Sequence, residues 1–244
     1  MPPLAANLTR LHPLWTAVAV TLLFAILARA LRGVSTSGAV AGGIVCFALY
    51  AGVGVGAFSG LVLVFLLTWV ATRFGYAQKL RHGVAEERGG RTASQVLANV
   101  GLAGVCAAAY HFSHGNPISL LGLSAVLAEA AADTVSSELG QALSRTARLV
   151  TTWKQVPAGT DGGVTLAGTI GGVAAAALVS LQFAFTGLLS WRGALAAGGA
   201  GVIAMFMDSF LGATLERRGV LNNDAVNLLG TLFAAALAVS VGVD

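Results

Sequence analysis

Apolar segments that are long enough, or nearly long enough, to cross a bilayer recur along the whole chain. They fall at about 13–31, 37–51, 56–73, 94–112, 118–143, 164–190, 193–215 and 224–242. A hydrocarbon core about 30 Å thick requires roughly 20 apolar residues in a helix. The sequence therefore predicts one all-α transmembrane domain over residues 1–244, a polytopic helix bundle with about eight spans. The second segment is short and rich in glycine, which suits a re-entrant or half-spanning segment.

Composition excludes a soluble domain. Hydrophobic residues make up 56% of the 244 residues and charged residues only 10%, whereas about 25% is usual for soluble proteins. Cys46 and Cys106 both lie in apolar segments, so we predict neither a disulfide nor a cysteine metal site. We expect membrane lipids around the bundle and no nucleic-acid partner; the sequence leaves the oligomeric state open.

Positive charge predicts the orientation of the bundle. If the N-terminus is outside and every segment crosses, the cytoplasmic side receives Arg29, Arg32, Arg73, Lys79, Arg81, Arg88, Arg91, Arg145, Arg148, Lys154, Arg217 and Arg218. Only Arg10 and Arg192 then lie outside. Because Lys and Arg resist translocation, the polar loops 74–93, 144–163 and 216–223 should face the cytoplasm of a bacterial inner membrane. On this reading Lys79 and Arg81 are topology signals rather than ligands.

Two glycine-rich segments resemble each other. Gly33–Val45 aligns without gaps on Gly163–Ala175, and both would begin at the cytoplasmic side. The similarity fits a parallel internal repeat, and small-residue packing between helices would produce a similar pattern.

Carboxylates occur inside one of the apolar segments. Glu129, Asp133 and Glu138 lie within 118–143, and the first two share a helix face because they are four residues apart. A carboxylate in the hydrocarbon region is costly unless it faces a protein interior, a wet cavity or a cation. We therefore interpret this segment as a functional site.

Hydroxyl groups accompany two of these acids. Thr134 and Ser137 lie next to Asp133 and Glu138, and Mg²⁺ is typically held by a few carboxylates, water and substrate phosphates. Asp133 and Glu138 are thus predicted catalytic and metal-binding residues. The alternative is that they pair with arginines of the following loop and only hold helices together.

A third acid is predicted at the same site. In the segment MDSFLGATLE, Asp208 and Glu216 are eight residues apart and lie roughly on one helix face. Asp208 should lie deeper in the bundle, where it can complete a metal and catalytic site with Asp133 and Glu138. Glu216 near the surface is equally consistent with a solvated side chain.

A glycine-rich loop precedes a helix at PAGTDGGVTLAG, Pro157–Gly168. Successive backbone N–H groups at a helix N-terminus form an anion site. The residues predicted to bind a nucleotide here are Gly159, Thr160, Asp161, Gly162, Gly163, Thr165 and, just upstream, Lys154. A purely structural turn is the alternative, since the loop lacks the spacing of a Walker motif.

Amide side chains open the last segment. In NNDAVN, Asn222 or Asn223 is a suitable helix N-cap. Asn223 and Asn227, four residues apart, are predicted to hydrogen-bond a nucleotide or phosphate.

A polar stripe enters the segment at 94–112. In RTASQVLAN, Arg91, Gln95 and Asn99 recur every four residues. We predict Gln95 and Asn99 as ligand-binding residues, with an interhelical hydrogen-bond seam as the alternative.

Acids and a phosphate-binding loop at one membrane depth together indicate Mg²⁺ and a polyphosphate.

These motifs resemble a known family. ADTVSSELG, GTDGGVT, DSFLGA and NNDAVN, in this order and preceded by RTASQVLAN, resemble the membrane family of plant phytyl-phosphate kinase and transmembrane protein 19, domain of unknown function 92. More distantly they are similar to the CTP-using dolichol and phytol kinases. The resemblance runs from about Gly33 to Asn227.

The resemblance implies a CTP-dependent kinase that converts an isoprenoid monophosphate of phytyl or geranylgeranyl type into its diphosphate. By position, it implies metal or catalytic roles for Asp133, Glu138 and Asp208. It also implies nucleotide-phosphate contacts by Lys154, Gly159, Thr160, Gly162 and Gly163, with Asn223 and Asn227 nearby. Asp161 departs from the asparagine that is frequent in this family.

Two other functions fit the same residues. A secondary transporter would use buried acids to carry protons or cations, with the glycine-rich segments as a moving core. A lipid-phosphate cytidylyltransferase would use the same ligands and release pyrophosphate instead of CDP.

Overall fold

The prediction of a helical membrane bundle is confirmed. A computed structural model describes residues 14–81, 83–85 and 89–242. Residue 13 lies outside this part, as do Arg10 and Arg88, whose sides of the membrane were predicted. The helices are α1 (Leu14–Ala30), α2 (Thr36–Gly52), α3 (Val55–Arg73), α4 (Tyr76–Arg81), α5 (Ala93–Phe112), α6 (Pro117–Leu143), α7 (Leu166–Phe185), α8 (Trp191–Glu216) and α9 (Asn223–Val241).

Six helices of the described chain, α3 and α5 to α9, are long and apolar enough to cross a membrane. The two helices α1 and α2 are apolar but have only 17 residues each. The second segment is short, as predicted, and the described part of the first, 14–30, lies within its predicted bounds. The segment predicted at 164–190 ends already at Phe185, because Gly187 has a φ of +72° and Ser190 caps the next helix.

Helix α6 lies at the centre of the bundle. It packs against α3, α4, α5, α7, α8 and α9, and most of its side chains are buried. The small side chains between Ala125 and Ala132 allow the neighbouring backbones to approach closely. The acids of α6 therefore face protein rather than lipid.

The loop between α6 and α7 contains a small sheet that was not predicted. Strands β1 (Thr146–Leu149), β2 (Gln155–Pro157) and β3 (Gly163–Val164) form an antiparallel sheet in the order β2-β1-β3. Exposed and buried residues alternate along β1, as in a strand with one covered face. The sheet holds the glycine-rich loop between β2 and β3.

The two similar glycine-rich segments begin helices in the same way. The Ser35 hydroxyl caps α2 by accepting a hydrogen bond from Gly38 N at 3.1 Å. The Thr165 hydroxyl caps α7 by accepting one from Gly168 N at 3.0 Å. The similarity thus extends to local structure, while an internal duplication stays a prediction.

Candidate functional site

A polar cavity of about 230 Å³ lies where the ends of several helices meet. The second half of α6, the end of α8, the beginnings of α5 and α9 and the loop between β2 and β3 enclose it. Its lining includes the predicted residues Asp133, Glu138, Asp208, Gly159, Thr160, Asp161, Gly162, Gly163, Thr165, Gln95, Asn99, Asn223 and Asn227. Lys154 is the exception: it is exposed in the turn between β1 and β2 and does not line the cavity.

Negative charge dominates the polar cavity. Its carboxylates are Asp133, Glu138, Asp161, Asp208 and Glu216, and Arg91 is the only lysine or arginine in its lining within the described chain. Nucleotide phosphates would add further negative charge. Cations are therefore needed before this cavity can hold a polyphosphate.

Asp208 lies at the deep end of the polar cavity. It is only 4% exposed, and neither of its carboxylate oxygens has a hydrogen-bond partner within the described chain. The carboxyl group of Glu129 lies beside it, and Glu129 is only 1% exposed and does not line the cavity. Burying carboxylates without a partner costs several kcal/mol. This arrangement therefore favours a bound cation.

The acids fit Mg²⁺ that is shared with a substrate. Within the described residues, no three His, Cys, Asp or Glu side chains are gathered closely enough to hold a metal ion by themselves. Mg²⁺ is usually bound through one or two carboxylates together with substrate phosphates and water. The partnerless oxygens of Asp208, with Asp133 on the same cavity wall, match that set. The three-acid metal site stays a prediction.

Glu138 has a partner that sequence reasoning missed. Its carboxylate forms an ion pair with Lys79 of α4, and the Lys79 side chain is completely buried. Lys79 Nζ also donates to the carbonyl oxygens of Ala71 at 3.1 Å and Thr72 at 2.7 Å. Because all three ammonium protons are used, Lys79 is a structural and electrostatic element rather than only a topology signal. The sequence YAQKLR of α4 carries no signal for this burial.

The glycine-rich loop lies directly on the end of α8. A Cβ atom on Gly162 would lie 2.6 Å from Ala213 Cα, and one on Gly212 would lie 2.9 Å from Gly162 N. Gly159 and Gly162 have φ values of +87° and +73°, which favour glycine. The N–H groups of Asp161 and Gly162 make no backbone hydrogen bond within the described chain. The loop thus presents N–H donors next to the N-terminus of α7, and its role as an anion site stays a prediction.

Amide side chains divide into capping and cavity-lining groups. Asn222 caps α9 by accepting a hydrogen bond from Ala225 N at 2.9 Å, which leaves Asn223 and Asn227 to line the cavity. Gln95 completes a capping box by accepting from Thr92 N at 2.8 Å. The stripe of α5 is therefore partly structural, because Gln95 caps its own helix rather than forming the interhelical seam given as the alternative.

Two π-helical segments border the polar cavity. Leu97–Gly101 in α5 contains Asn99, and Gly212–Glu216 in α8 contains Glu216. Such segments rotate the following side chains relative to a regular α-helix and are frequent at functional sites. Glu216 lines the cavity. The sequence alone was equally consistent with a solvated side chain at this position.

Gly230 of α9 fixes the position of Asp208. A Cβ atom at residue 230 would overlap the Asp208 carboxylate, lying 2.6 Å from Cγ. Replacing Gly230 by alanine is therefore expected to displace Asp208 and, at the catalytic site that the sequence predicts, to lower turnover by about 10²-fold, the cost of a misplacement near 1 Å. Gly199→Ala is the matched control, since nothing lies within 4 Å of a Cβ there. Equal turnover in both variants would show that Asp208 need not stay in place.

Comparison with known proteins finds a family and several relatives that match most of the chain. Residues 19–235 match the family of integral membrane protein DUF92. The chain is 34% identical to an uncharacterized membrane protein of Synechocystis sp. over 72% of its length and 70% of the relative. It is 31% identical to an uncharacterized membrane protein of Methanocaldococcus jannaschii, covering 93% and 94% of the two chains. No solved structure matches the chain.

A plant relative also matches almost the entire chain. The protein is 32% identical to Protein VTE6, chloroplastic, of Arabidopsis thaliana over 93% of this chain and 72% of the plant protein. The family match over residues 19–235 includes every motif that lines the polar cavity, from Arg91 to Asn227. The chain therefore belongs to the integral membrane protein DUF92 family, the family of phytyl-phosphate kinase and transmembrane protein 19 that its motifs indicate.

Proposed function

We propose that the protein is a membrane kinase that transfers the γ-phosphoryl group of CTP to an isoprenoid monophosphate and forms the diphosphate. Its membership of the phytyl-phosphate kinase family supports the reaction class. We further propose that the polar cavity faces the cytoplasm of a bacterial inner membrane, because that face supplies nucleotide. The abundance of arginine and lysine in the polar loops supports this orientation.

One observation carries the proposal: partnerless buried carboxylate oxygens and unpaired loop N–H groups line the same cavity. Asp208 supplies the first, and Asp161 and Gly162 supply the second. Phosphates attract N–H donors and repel carboxylates, so a site with both suits a phosphate chain accompanied by cations. Asp133 and Asp208 would hold Mg²⁺, which when bound neutralises phosphate charge during the transfer.

The protein's own groups would align two anions. The loop between β2 and β3 and the N-terminus of α7 would bind the phosphates of the nucleotide. An oxygen of the acceptor monophosphate forms the new bond to the γ-phosphorus, and the bond from that phosphorus to the bridging oxygen breaks and leaves CDP. The acceptor phosphate is already a competent nucleophile at neutral pH, so the site needs no strong base. Positioning and charge neutralisation suffice for this chemistry.

The test is a transfer assay with the purified full-length protein. We expect CTP, Mg²⁺ and geranylgeranyl or phytyl monophosphate to yield the prenyl diphosphate and CDP in equal amounts, and chelation of Mg²⁺ to stop the reaction. ATP, GTP and UTP in parallel reactions test the donor. An Asp133→Asn sample prepared in the same way measures contaminating kinases.

The products separate the alternatives. Pyrophosphate in place of CDP would identify cytidylyl transfer. No diphosphate with any nucleotide, together with no stabilisation of the protein by nucleotide and Mg²⁺, would contradict the proposal and favour a transporter.

A further inference from the structure

A second, largely apolar cavity of about 380 Å³ lies between α1, α2, α3 and the first half of α5. Its apolar walls include Phe24, Leu61, Val64, Phe65 and Val100. We call it the apolar cavity. Its residues on α3 recur every three or four positions from Leu61 to Arg73, so one face of that helix lines its full length.

One end of the apolar cavity is positively charged. Arg32, Arg73 and Arg91 line this end, and no aspartate or glutamate of the described chain lines the cavity. Arg73 is held in place, since its Nη2 donates to Leu31 O at 2.5 Å and its guanidinium lies 4.1 Å from the centre of the Trp69 ring. Guanidinium groups bind phosphate through paired hydrogen bonds. An apolar cavity with such an end suits a lipid that carries an anionic head.

The apolar and polar cavities meet at two residues. Arg91 and Asn99 line both of them. Arg91 Nη2 donates to Thr134 Oγ1 at 3.2 Å, which orients the guanidinium beside Asp133 on α6. A phosphate bound near Arg91 would therefore lie at the border of the site proposed for the nucleotide.

We propose that the apolar cavity is the acceptor site and binds a single-chain lipid monophosphate, with its phosphate at Arg91 and Arg73. This inference rests on the proposed function for the identity of the reaction, but not for the binding itself. A phospholipid with two acyl chains is the competing source of an anionic lipid head. A cavity of about 380 Å³ is smaller than two long acyl chains require, which favours the single chain.

Aromatic rings close the far end of the apolar cavity. The ring of Phe24 makes edge-to-face contacts with Phe58 at 5.7 Å and with Phe65 at 5.5 Å, and Phe58 contacts Tyr50 at 5.7 Å. Phe58 and Tyr50 do not line the cavity, so they lie behind its floor. This cluster sets a limit on the length of the bound chain.

The length of the apolar cavity indicates the size of the lipid. Leu61 at the floor and Arg73 at the charged end are separated by about 18 Å along α3, at about 1.5 Å per residue. An extended chain advances about 3.5 Å for every three backbone bonds, so an isoprene unit with four such bonds spans roughly 4.7 Å. The cavity therefore accommodates about four isoprene units.

Binding without nucleotide tests the acceptor site independently of transfer. We expect geranylgeranyl monophosphate to bind the purified protein in nanodiscs without CTP. Gly42→Leu should weaken that binding about ten-fold or more, because Gly42 lines the apolar cavity and a Cβ there has open space, with Val96 Cγ1 nearest at 3.8 Å. Gly199→Leu, at an open position on α8, is the matched control.

Three binding results would overturn the acceptor site. They are unchanged binding in Gly42→Leu, equal weakening in Gly199→Leu, and competition by phosphatidic acid as strong as that by the prenyl phosphate. Crosslinking of a photoreactive geranylgeranyl monophosphate to the unmodified protein provides a second test, which does not depend on whether a variant folds. Labelling of α1, α2, α3 or the first half of α5 supports the site, and labelling confined to other helices overturns it. Cavity-dependent binding without diphosphate formation would instead overturn only the proposed kinase reaction.

Discussion

Replacing Asp208 by asparagine is expected to lower phosphoryl transfer by about 10²- to 10³-fold, the usual cost of losing one preorganised charged or polar group at a reacting centre. The same change should make the metal-free protein more resistant to heat. Asp208 is buried, no N–H or hydroxyl group of the described chain donates to its carboxylate, and the Glu129 carboxyl group lies beside it. Replacing the buried Asp208 carboxylate relieves its desolvation cost and its repulsion by the Asp133 carboxylate.

Opposite changes in activity and stability distinguish a functional acid from a structural one. Melting temperature should be measured with and without Mg²⁺ and CTP, alongside initial transfer rates. The unmodified protein should gain stability from the two ligands together, and Asp208→Asn should lose most of this gain. Asp224→Asn is the matched control, because Asp224 lies in the first turn of α9 outside the cavity lining. Full activity in Asp208→Asn would remove Asp208 from the site.

Much of the site follows from sequence because topology brings its motifs together. Successive apolar segments cross the membrane in opposite directions, which places the polar loops on one side. The ends of α6 and α8 and the starts of α5 and α9 therefore lie on that same side. The side-chain types then predict the chemistry: acids in α6 and α8, glycines before α7 and amides in α9. Helix length, charge and direction, all of which the sequence carries, suffice to predict where these motifs meet.

The remaining features depend on packing that no local pattern encodes. Lys154 is adjacent to the glycine-rich loop in sequence, but the turn between β1 and β2 leaves it exposed. Lys79 resembles any loop lysine, yet α4 folds back against α6 and buries it. The apolar cavity is a gap between helices, and a gap depends on the distances between backbones rather than on one segment's composition. Tertiary contacts therefore decide these three features.

Replacing Lys79 by methionine is expected to lower the free energy of unfolding by about 3–5 kcal/mol, as found when one partner of a buried ion pair is removed. The change would leave Glu138, which is only 6% exposed, without its cation and two backbone carbonyls without their donor. Unfolding in mixed micelles by denaturant titration measures the loss. Arg81→Met is the matched control on the same helix, where Arg81 is exposed.

A double variant separates the two roles that Glu138 can have. If the ion pair is mainly structural, Lys79→Met with Glu138→Gln should recover part of the lost stability, because the unpaired charge has been removed. Glu138→Gln alone should then retain most of the stabilisation by Mg²⁺ and CTP. If Glu138 is a metal ligand, that stabilisation should fall as it does in Asp208→Asn. A Lys79→Met loss below about 1 kcal/mol, the value of an exposed pair, would contradict the buried ion pair itself.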